Sequence, residues 1–257
     1  MNKFNIAKPG SRVGEWAPYS YNIGTGCMNL CKYCYGRDIA LQFGGISERA
    51  QWVHEKVHHS KLDISEKVDG LVMFPSMHDI TDNNLIAYMT TLRNILKAGN
   101  RALIVSKPRL NCIQSICDSS KDYKDQILFR FTIGSLNEAV CKFWEPNAPK
   151  PQERIAALKY AFDAGYQTSV SAEPMLEGYR EAVTLYDTLE PYVTDTIWFG
   201  KMDDIDDRVD VTDPTDKAAV KYIREFQSDA NIQLLYDSLK DRSKVQWKKS
   251  LRKVIGI

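Results

Sequence analysis

Short apolar runs alternate along this chain with longer amphipathic stretches. Residues 19–23 read as a first strand, and 39–59 as helical with a break admitted at Gly44-Gly45. The run 69–74 (DGLVMF) has the look of a buried strand, and 83–98 of a helix closed by Gly99, a favourable C-cap residue. The alternation then repeats. Strands are predicted at 101–106 (RALIVS), 126–133 (QILFRFTI), 166–172 (YQTSVSA) and 194–199 (TDTIWF). Between and after them lie helices at 110–123, at 152–164 closed by Gly165, at 180–189, and a long final one at 217–239. Six strand–helix units in one domain predict an α/β protein, a partial (β/α)6 TIM-like barrel of parallel strands. Its crossovers are right-handed and its chemistry sits at the carboxyl ends of the strands. This core spans 19–239, between an N-terminal extension (1–18) and a C-terminal tail (240–257).

With 257 residues and 44% hydrophobic content, the chain is long enough for one large core. Its net charge of +1 gives no global field toward nucleic acid or an acidic membrane. Residues 1–14 have no apolar core of signal-peptide length, and no window approaches the roughly 18 apolar residues of a membrane span. A soluble cytoplasmic protein with no membrane partner is expected. Oligomeric state is not legible. Cys112, Cys117 and Cys141 are scattered, which fits a reducing compartment better than a disulfide framework.

The other three cysteines change the picture. Cys27, Cys31 and Cys34 stand at Cys-x3-Cys-x2-Cys spacing in one loop, with glycines at 24 and 26 to free the backbone. Three such thiols can hold three irons of a cubane cluster and leave the fourth open to a small molecule; four cysteines would close it. The rival reading is zinc with a fourth ligand from elsewhere. The spacing, with the aromatic Tyr33 just before the third cysteine, resembles the radical S-adenosylmethionine (SAM) superfamily.

A narrower likeness appears when the strand ends are read together. Gly26-Cys27-Met28, Tyr33-Cys34-Tyr35, Arg130-Phe131-Thr132-Ile133, Trp144-Glu145-Pro146-Asn147-Ala148-Pro149, Glu153-Arg154-Ile155 and Ala164-Gly165-Tyr166 are similar to spore photoproduct lyase and its relatives. The resemblance runs from about residue 19 to 174. It implies a 4Fe-4S cluster on Cys27, Cys31 and Cys34, SAM as cofactor, and Lys107 as partner of the SAM carboxylate. By the same likeness Tyr33 and Thr132 belong to the SAM site, with Thr132 toward the ribose, and Ala172 and Glu173 lie where the fifth strand passes the nucleoside. Arg154 could reach Glu145 or the cofactor. Reductive cleavage of SAM to methionine and a 5′-deoxyadenosyl radical would follow, then hydrogen abstraction from substrate. The electron donor implied is a small protein such as flavodoxin or ferredoxin.

Tyr35, Ser76, His78 and Asp79 are candidates for the substrate side, the last three because they follow the second strand directly. One departure matters. The lyase family carries a hydrogen-donating cysteine just after that strand, where this chain has Ser76 or Met77. The O–H bond of a serine is too strong for that role, which leaves Cys141 or Tyr35 to take it.

Three patterns compete. His54-Glu55-Lys56-Val57-His58 reads H-E-x-x-H, a zinc metalloprotease signature if it lies on a helix. The aspartates from Asp203 to Asp216 lack an EF-hand glycine and terminal Glu and read as a solvated loop. In the tail, Lys240, Arg242, Lys244, Lys248, Lys249, Arg252 and Lys253 surround Trp247 and Leu251. That is either a phosphate-gripping segment with a stacking aromatic or an amphipathic helix closing the barrel with a basic outer face. Tail and resemblance together point to a nucleic-acid base or nucleotide as substrate, against a small metabolite or peptide.

Overall fold

The predicted strand–helix alternation is what the chain builds. A computed structural model describes residues 3–257; Met1 and Asn2, at the start of the expected extension, lie outside the described residues. The strands are β1 (Asn5–Ile6), β2 (Tyr19–Ser20), β3 (Gly24–Thr25), β4 (Lys56–Val57), β5 (Leu71–Met73), β6 (Arg101–Ser106), β7 (Ile127–Thr132), β8 (Gln167–Ala172), β9 (Ile197–Phe199) and β10 (Val245–Trp247). The α-helices are α1 (Tyr35–Gln42), α2 (Leu85–Lys97), α3 (Leu110–Ser119), α4 (Glu138–Trp144), α5 (Pro151–Asp163), α6 (Tyr179–Leu189), α7 (Ile205–Arg208), α8 (Pro214–Phe226), α9 (Asp229–Leu239) and α10 (Lys249–Ile255). One sheet runs β1-β2-β5-β6-β7-β8-β9-β10. Every pair in it is parallel except β1 with β2.

β7 shows why these runs are strands. All six of its residues are buried because both faces are covered. Ile127, Phe129 and Phe131 join the main core under the helices, with Ile104, Val170, Ile113 and Leu158. Leu128 lies on the other face with Met73, Leu103 and Ala17, and Val13 and Trp16 pack against that cluster. Part of the N-terminal extension, Val13, Trp16 and Ala17, therefore packs on that face of the sheet.

The structure departs from the sequence expectation in three places. The stretch 39–59 is not one helix: α1 stops at Gln42, Gly44 takes a positive φ of 72°, and β4 pairs antiparallel with β3. Its backbone is needed elsewhere, since the Trp52 carbonyl accepts the Cys27 N–H at 2.7 Å. The last long helix is two, α8 and α9. Gln227 at the break turns inward, accepting the Met202 N–H and donating to the Met175 carbonyl, each at 2.8 Å. The tail adds β10 as a further parallel strand beside β9, and Trp247, Lys248 and Leu251 are buried. Among the described residues no helix is long and apolar enough to cross a membrane.

Candidate functional site

The cysteine loop is tied down from several sides before any ligand is considered. Gly26 adopts a φ of 98°, and a Cβ there would meet the His54 carbonyl oxygen at 2.4 Å, so only glycine lets Cys27 approach Trp52 so closely. The Met28 N–H donates to Glu55 at 3.0 Å, and the Lys32 N–H to the Trp144 carbonyl at 2.9 Å. Asn29, fully buried, donates to Asp79 at 2.9 Å and accepts from Arg109 at 2.9 Å. α1 begins at Tyr35, directly after the third cysteine.

Cys27, Cys31 and Cys34 line one pocket with Tyr33, Tyr35, Ser76, Met77, His78, Asp79, Lys107, Thr132, Ser171 and Glu173. These residues come from the cysteine loop and the carboxyl ends of β5, β6, β7 and β8. Arg12, Val13 and Trp16 of the N-terminal segment line it too. The pocket is open to solvent at its mouth.

A charged network runs through its wall. The Asp79 carboxylate accepts from the Lys107 backbone N–H at 2.7 Å and from the Ser106 hydroxyl at 3.0 Å, besides Asn29. Burial works to raise its pKa, but the Lys107 ammonium and these donors hold it below the ordinary aspartate value. Lys107 stands 3.8 Å from Asp79 and 3.9 Å from Glu145, with its ammonium 5.6 Å from the Tyr33 ring centre. Burial works to lower the lysine, yet Cys31, Tyr33, Asp79 and Glu145 hold it well above the ordinary lysine value. Glu145 is buried; it accepts from the Tyr33 hydroxyl and pairs with Arg154.

Several predicted residues lie elsewhere. Arg154 is buried behind the wall on Glu145, the Pro149 carbonyl at 2.8 Å and the Thr132 carbonyl at 3.4 Å, so its reach is to Glu145 and not into the pocket. Ala172 faces the helix layer and offers only a carbonyl to the Gly200 N–H; its neighbours Ser171 and Glu173 face the pocket instead. Cys141 is buried on α4 among Cys31, Tyr33, Trp144 and Leu176, its thiol donating to the Ser135 carbonyl at 3.6 Å. Glu55 and its flanking histidines are not helical, so the two imidazoles do not share a helix face. Glu55 instead accepts from Met28 and from the Thr81 hydroxyl at 2.6 Å, and His58 bonds Thr25 at 2.9 Å. Lys248 turns inward, against the expectation of a basic outer face.

Sequence reasoning missed Asn22, Asn29, Glu145 as a wall residue, and the N-terminal segment. Asn22 accepts the backbone N–H groups of Ser76 and Met77 and donates to the Ser76 hydroxyl at 2.8 Å. Asn22 lies just past β2 in a run that also holds Ser20, and no local signal singles it out. No local signal marks residues 12–16.

The residues fit the cluster and cofactor that the spacing implies. Cys27, Cys31 and Cys34 are free thiols. Burial, helped by Asp79 and the neighbouring thiols, pushes Cys27 well up; burial takes Cys31 to about 12 against the pull of Lys107, and burial raises Cys34 as well. Thiols so placed ionise when positive metal is brought to them. Among the described residues no three His, Cys, Asp or Glu side chains converge as around a single ion. Thiols that each serve a different iron stand farther apart than ligands of one ion. Four pocket residues carry buried polar atoms without a partner: Trp16 Nε1, Trp52 Nε1, His78 Nε2 and Ser171 Oγ. Buried polar atoms are rarely left so, and their gathering here marks a place where a polar ligand belongs.

No protein-family model matches the sequence. An uncharacterized protein of Acidianus two-tailed virus is 28% identical over 172 residues, 61% of this chain and 56% of that protein. An uncharacterized protein of Methanocaldococcus jannaschii is 24% identical over 177 residues, 68% of this chain and 67% of that protein. The match thus spans little more than half the length of the viral relative. Among solved structures, spore photoproduct lyase complexed with dinucleoside spore photoproduct is similar over 96% of this chain and 78% of its own, with a TM-score of 0.62 and 17% identity. A mutant of that lyase with bound AdoMet and dinucleoside spore photoproduct gives a TM-score of 0.59 over the same shares, also at 17% identity. In its fold, a partial barrel of parallel strands, the chain is similar to spore photoproduct lyase.

Proposed function

We propose that this chain is a radical SAM enzyme that abstracts a hydrogen atom from a nucleic-acid base or nucleotide. When bound, a 4Fe-4S cluster and SAM supply a 5′-deoxyadenosyl radical by one-electron cleavage of the sulfonium. One observation carries the reading: three loop thiols, one buried lysine and the substrate-side candidates line a single pocket at the carboxyl ends of the strands.

The chain's own residues hold and orient. Cys27, Cys31 and Cys34 would each hold one iron of the cluster. Lys107 has its charge compensated by Asp79 and Glu145, but at 3.8 and 3.9 Å neither is within hydrogen-bond reach, so its N–H donors are available to the SAM carboxylate. Thr132, Ser171 and Glu173 offer hydroxyl and carboxylate oxygens to the ribose. Tyr33 is fixed by Glu145 as a wall. On the substrate side, Asn22 donates to the Ser76 oxygen, leaving the Ser76 O–H to donate outward. His78 Nδ1 lies 3.1 Å from the Asp79 carbonyl and must donate there, which makes Nε2 an acceptor. Asp79 is a support for Asn29, Ser106 and Lys107 more than a substrate contact. Of the two groups weighed for returning a hydrogen atom to the product radical, Tyr35 lines the pocket and Cys141 does not. The electron comes from a small carrier such as flavodoxin or ferredoxin.

The test is anaerobic reconstitution with iron and sulfide, then incubation with SAM, dithionite and candidate oligonucleotides. Release of 5′-deoxyadenosine with a mass change in the nucleic acid is the expected result. One zinc, no iron and no 5′-deoxyadenosine would overturn the proposal.

A further inference from the structure

Lys248 is a lysine sealed inside the protein. Its side chain is 1% exposed, and its ammonium lies 2.8 Å from Glu15 and 3.3 Å from Glu173. It donates to the Arg12 carbonyl at 3.2 Å and sits 4.0 Å from the Trp16 ring centre. Three distant parts of the chain meet at this nitrogen: the N-terminal segment, the end of β8 and the C-terminal strand and helix. Arg12, Trp16 and Glu173 all line the pocket; Lys248 does not. Burying an ammonium is costly unless anions compensate it, and two carboxylates at bonding distance do so here. Glu15 ties the same junction to α10, accepting from the Lys249 N–H at 2.7 Å and the Arg252 guanidinium at 3.0 Å.

We infer that Lys248 is a positioning residue for the cofactor: it aims the Glu173 carboxylate into the pocket and seats the 12–16 segment as the pocket floor. The inference rests on reading that pocket as a SAM site. It makes the C-terminal segment a part of that site's support, although none of its residues touches the ligand. Glu173 accepts from Lys248 through one oxygen, Oε2. Its other oxygen is then presented to a ligand hydroxyl in one orientation, where an unclamped carboxylate would rotate.

A lysine needed only for folding can be removed together with one of its counter-charges. Lys248→Met combined with Glu15→Gln takes away the ammonium and one carboxylate, so the net charge of the junction is unchanged, while Glu173 loses its clamp and Arg252 its ion pair. SAM binding to the anaerobically reconstituted wild type, this double variant and Lys248→Arg is measured by equilibrium dialysis without reductant, with thermal midpoints on the same samples. A folded double variant with iron at wild-type level should bind SAM about tenfold more weakly, while Lys248→Arg, which keeps the charge, stays within about threefold. Equal SAM affinity in the folded double variant and the wild type would overturn the positioning role. Should the double variant not fold, hydrogen exchange on the wild type decides. Coupling between sites is reciprocal, so SAM must slow exchange in residues 245–252 if they support its site, and no slowing overturns the role. A wild type that binds no SAM at all fails the functional proposal itself, and this inference with it; that outcome is distinct from a wild type that binds beside a variant that is unchanged.

Discussion

The side-chain nitrogen of Lys107 stands 3.8 Å from the Asp79 carboxylate, and that carboxylate also accepts the backbone N–H of Lys107 at 2.7 Å. The resemblance gave Lys107 one anionic partner, the SAM carboxylate. The fold already supplies two anions, Asp79 and Glu145, so the lysine is structural and available to a ligand at once.

Lys107→Met should therefore do two things. It leaves the largely buried Asp79 without its cation, while Glu145 keeps Arg154; that loss costs roughly 3–5 kcal/mol, read as a lowered urea midpoint of the apo chain. It also weakens SAM binding by about one to two powers of ten in protein that remains folded. Thr132→Val should leave the urea midpoint near wild type and weaken SAM by less. An unchanged midpoint for Lys107→Met would show that Asp79 and Glu145 do not depend on it.

Each loop cysteine should be indispensable and the others not. Cys27→Ala, Cys31→Ala or Cys34→Ala removes the protein bond of one iron, so each should abolish the brown chromophore and SAM cleavage. Cys112→Ala, Cys117→Ala and Cys141→Ala should retain both, since none of these thiols lines the pocket. Cys141→Ala decides a specific point. Normal product formation without that thiol would leave Tyr35 as the pocket residue able to return a hydrogen atom; loss of product with SAM cleavage intact would put Cys141 back into the chemistry.

How much of this was legible depended on whether the signal was local. The strands and the cysteine loop were, because period, glycine placement and spacing are properties of neighbouring residues. The pocket ends of β5 to β8 followed from the strand assignments. Arg154, left open between Glu145 and the cofactor, and Ala172, expected beside the nucleoside, were settled by something not local. A residue at a strand end or on the following helix has two faces to choose from, and the choice was made by partners far away in sequence: Glu145 for Arg154, and the helix layer for Ala172. Lys248 carried no sign that it is buried. Its counter-charges are Glu15 and Glu173, and only the arrival of β10 beside β9 brings all three together. The 39–59 stretch failed because its carbonyl at Trp52 serves Cys27, a demand no helix pattern records.

His78 should give the apo chain a mild acid sensitivity. Burial lowers its pKa from the ordinary 6.5, outweighing the opposing influence of Asp79 and Glu55, while His58 adds to the lowering. The unfolded chain then binds the proton more tightly than the folded one, so stability is lost as pH falls from 6.5 toward the lower folded value. Urea midpoints measured across that window should decline for the wild type and stay flatter for His78→Gln. A parallel decline in both would assign the loss to other groups.

The C-terminal segment sets the last prediction. Its cations were read either as a phosphate-gripping run or as the basic outer face of a closing helix, and the fold spends most of them: Lys248 is buried, Arg242 pairs with Asp187 at 3.4 Å, Lys244 with Glu190 at 2.6 Å, Lys240 with Asp237 at 3.5 Å and Arg252 with Glu15 at 3.0 Å. Lys249 and Lys253 are exposed and in no ion pair among the described residues. Each phosphate contact contributes close to one unit to the slope of log affinity against log salt, so a contact made by these two would give a shallow slope of about 2 at most. Reversing both charges, Lys249→Glu with Lys253→Glu, should then flatten the salt dependence of oligonucleotide binding by about that amount and leave SAM cleavage without substrate unchanged. Wild-type binding with a steep slope that survives the reversal would move the phosphate contacts off this segment. The absence of any salt-dependent binding, to single or double strands, would remove nucleic acid as substrate and favour a small metabolite in the same pocket.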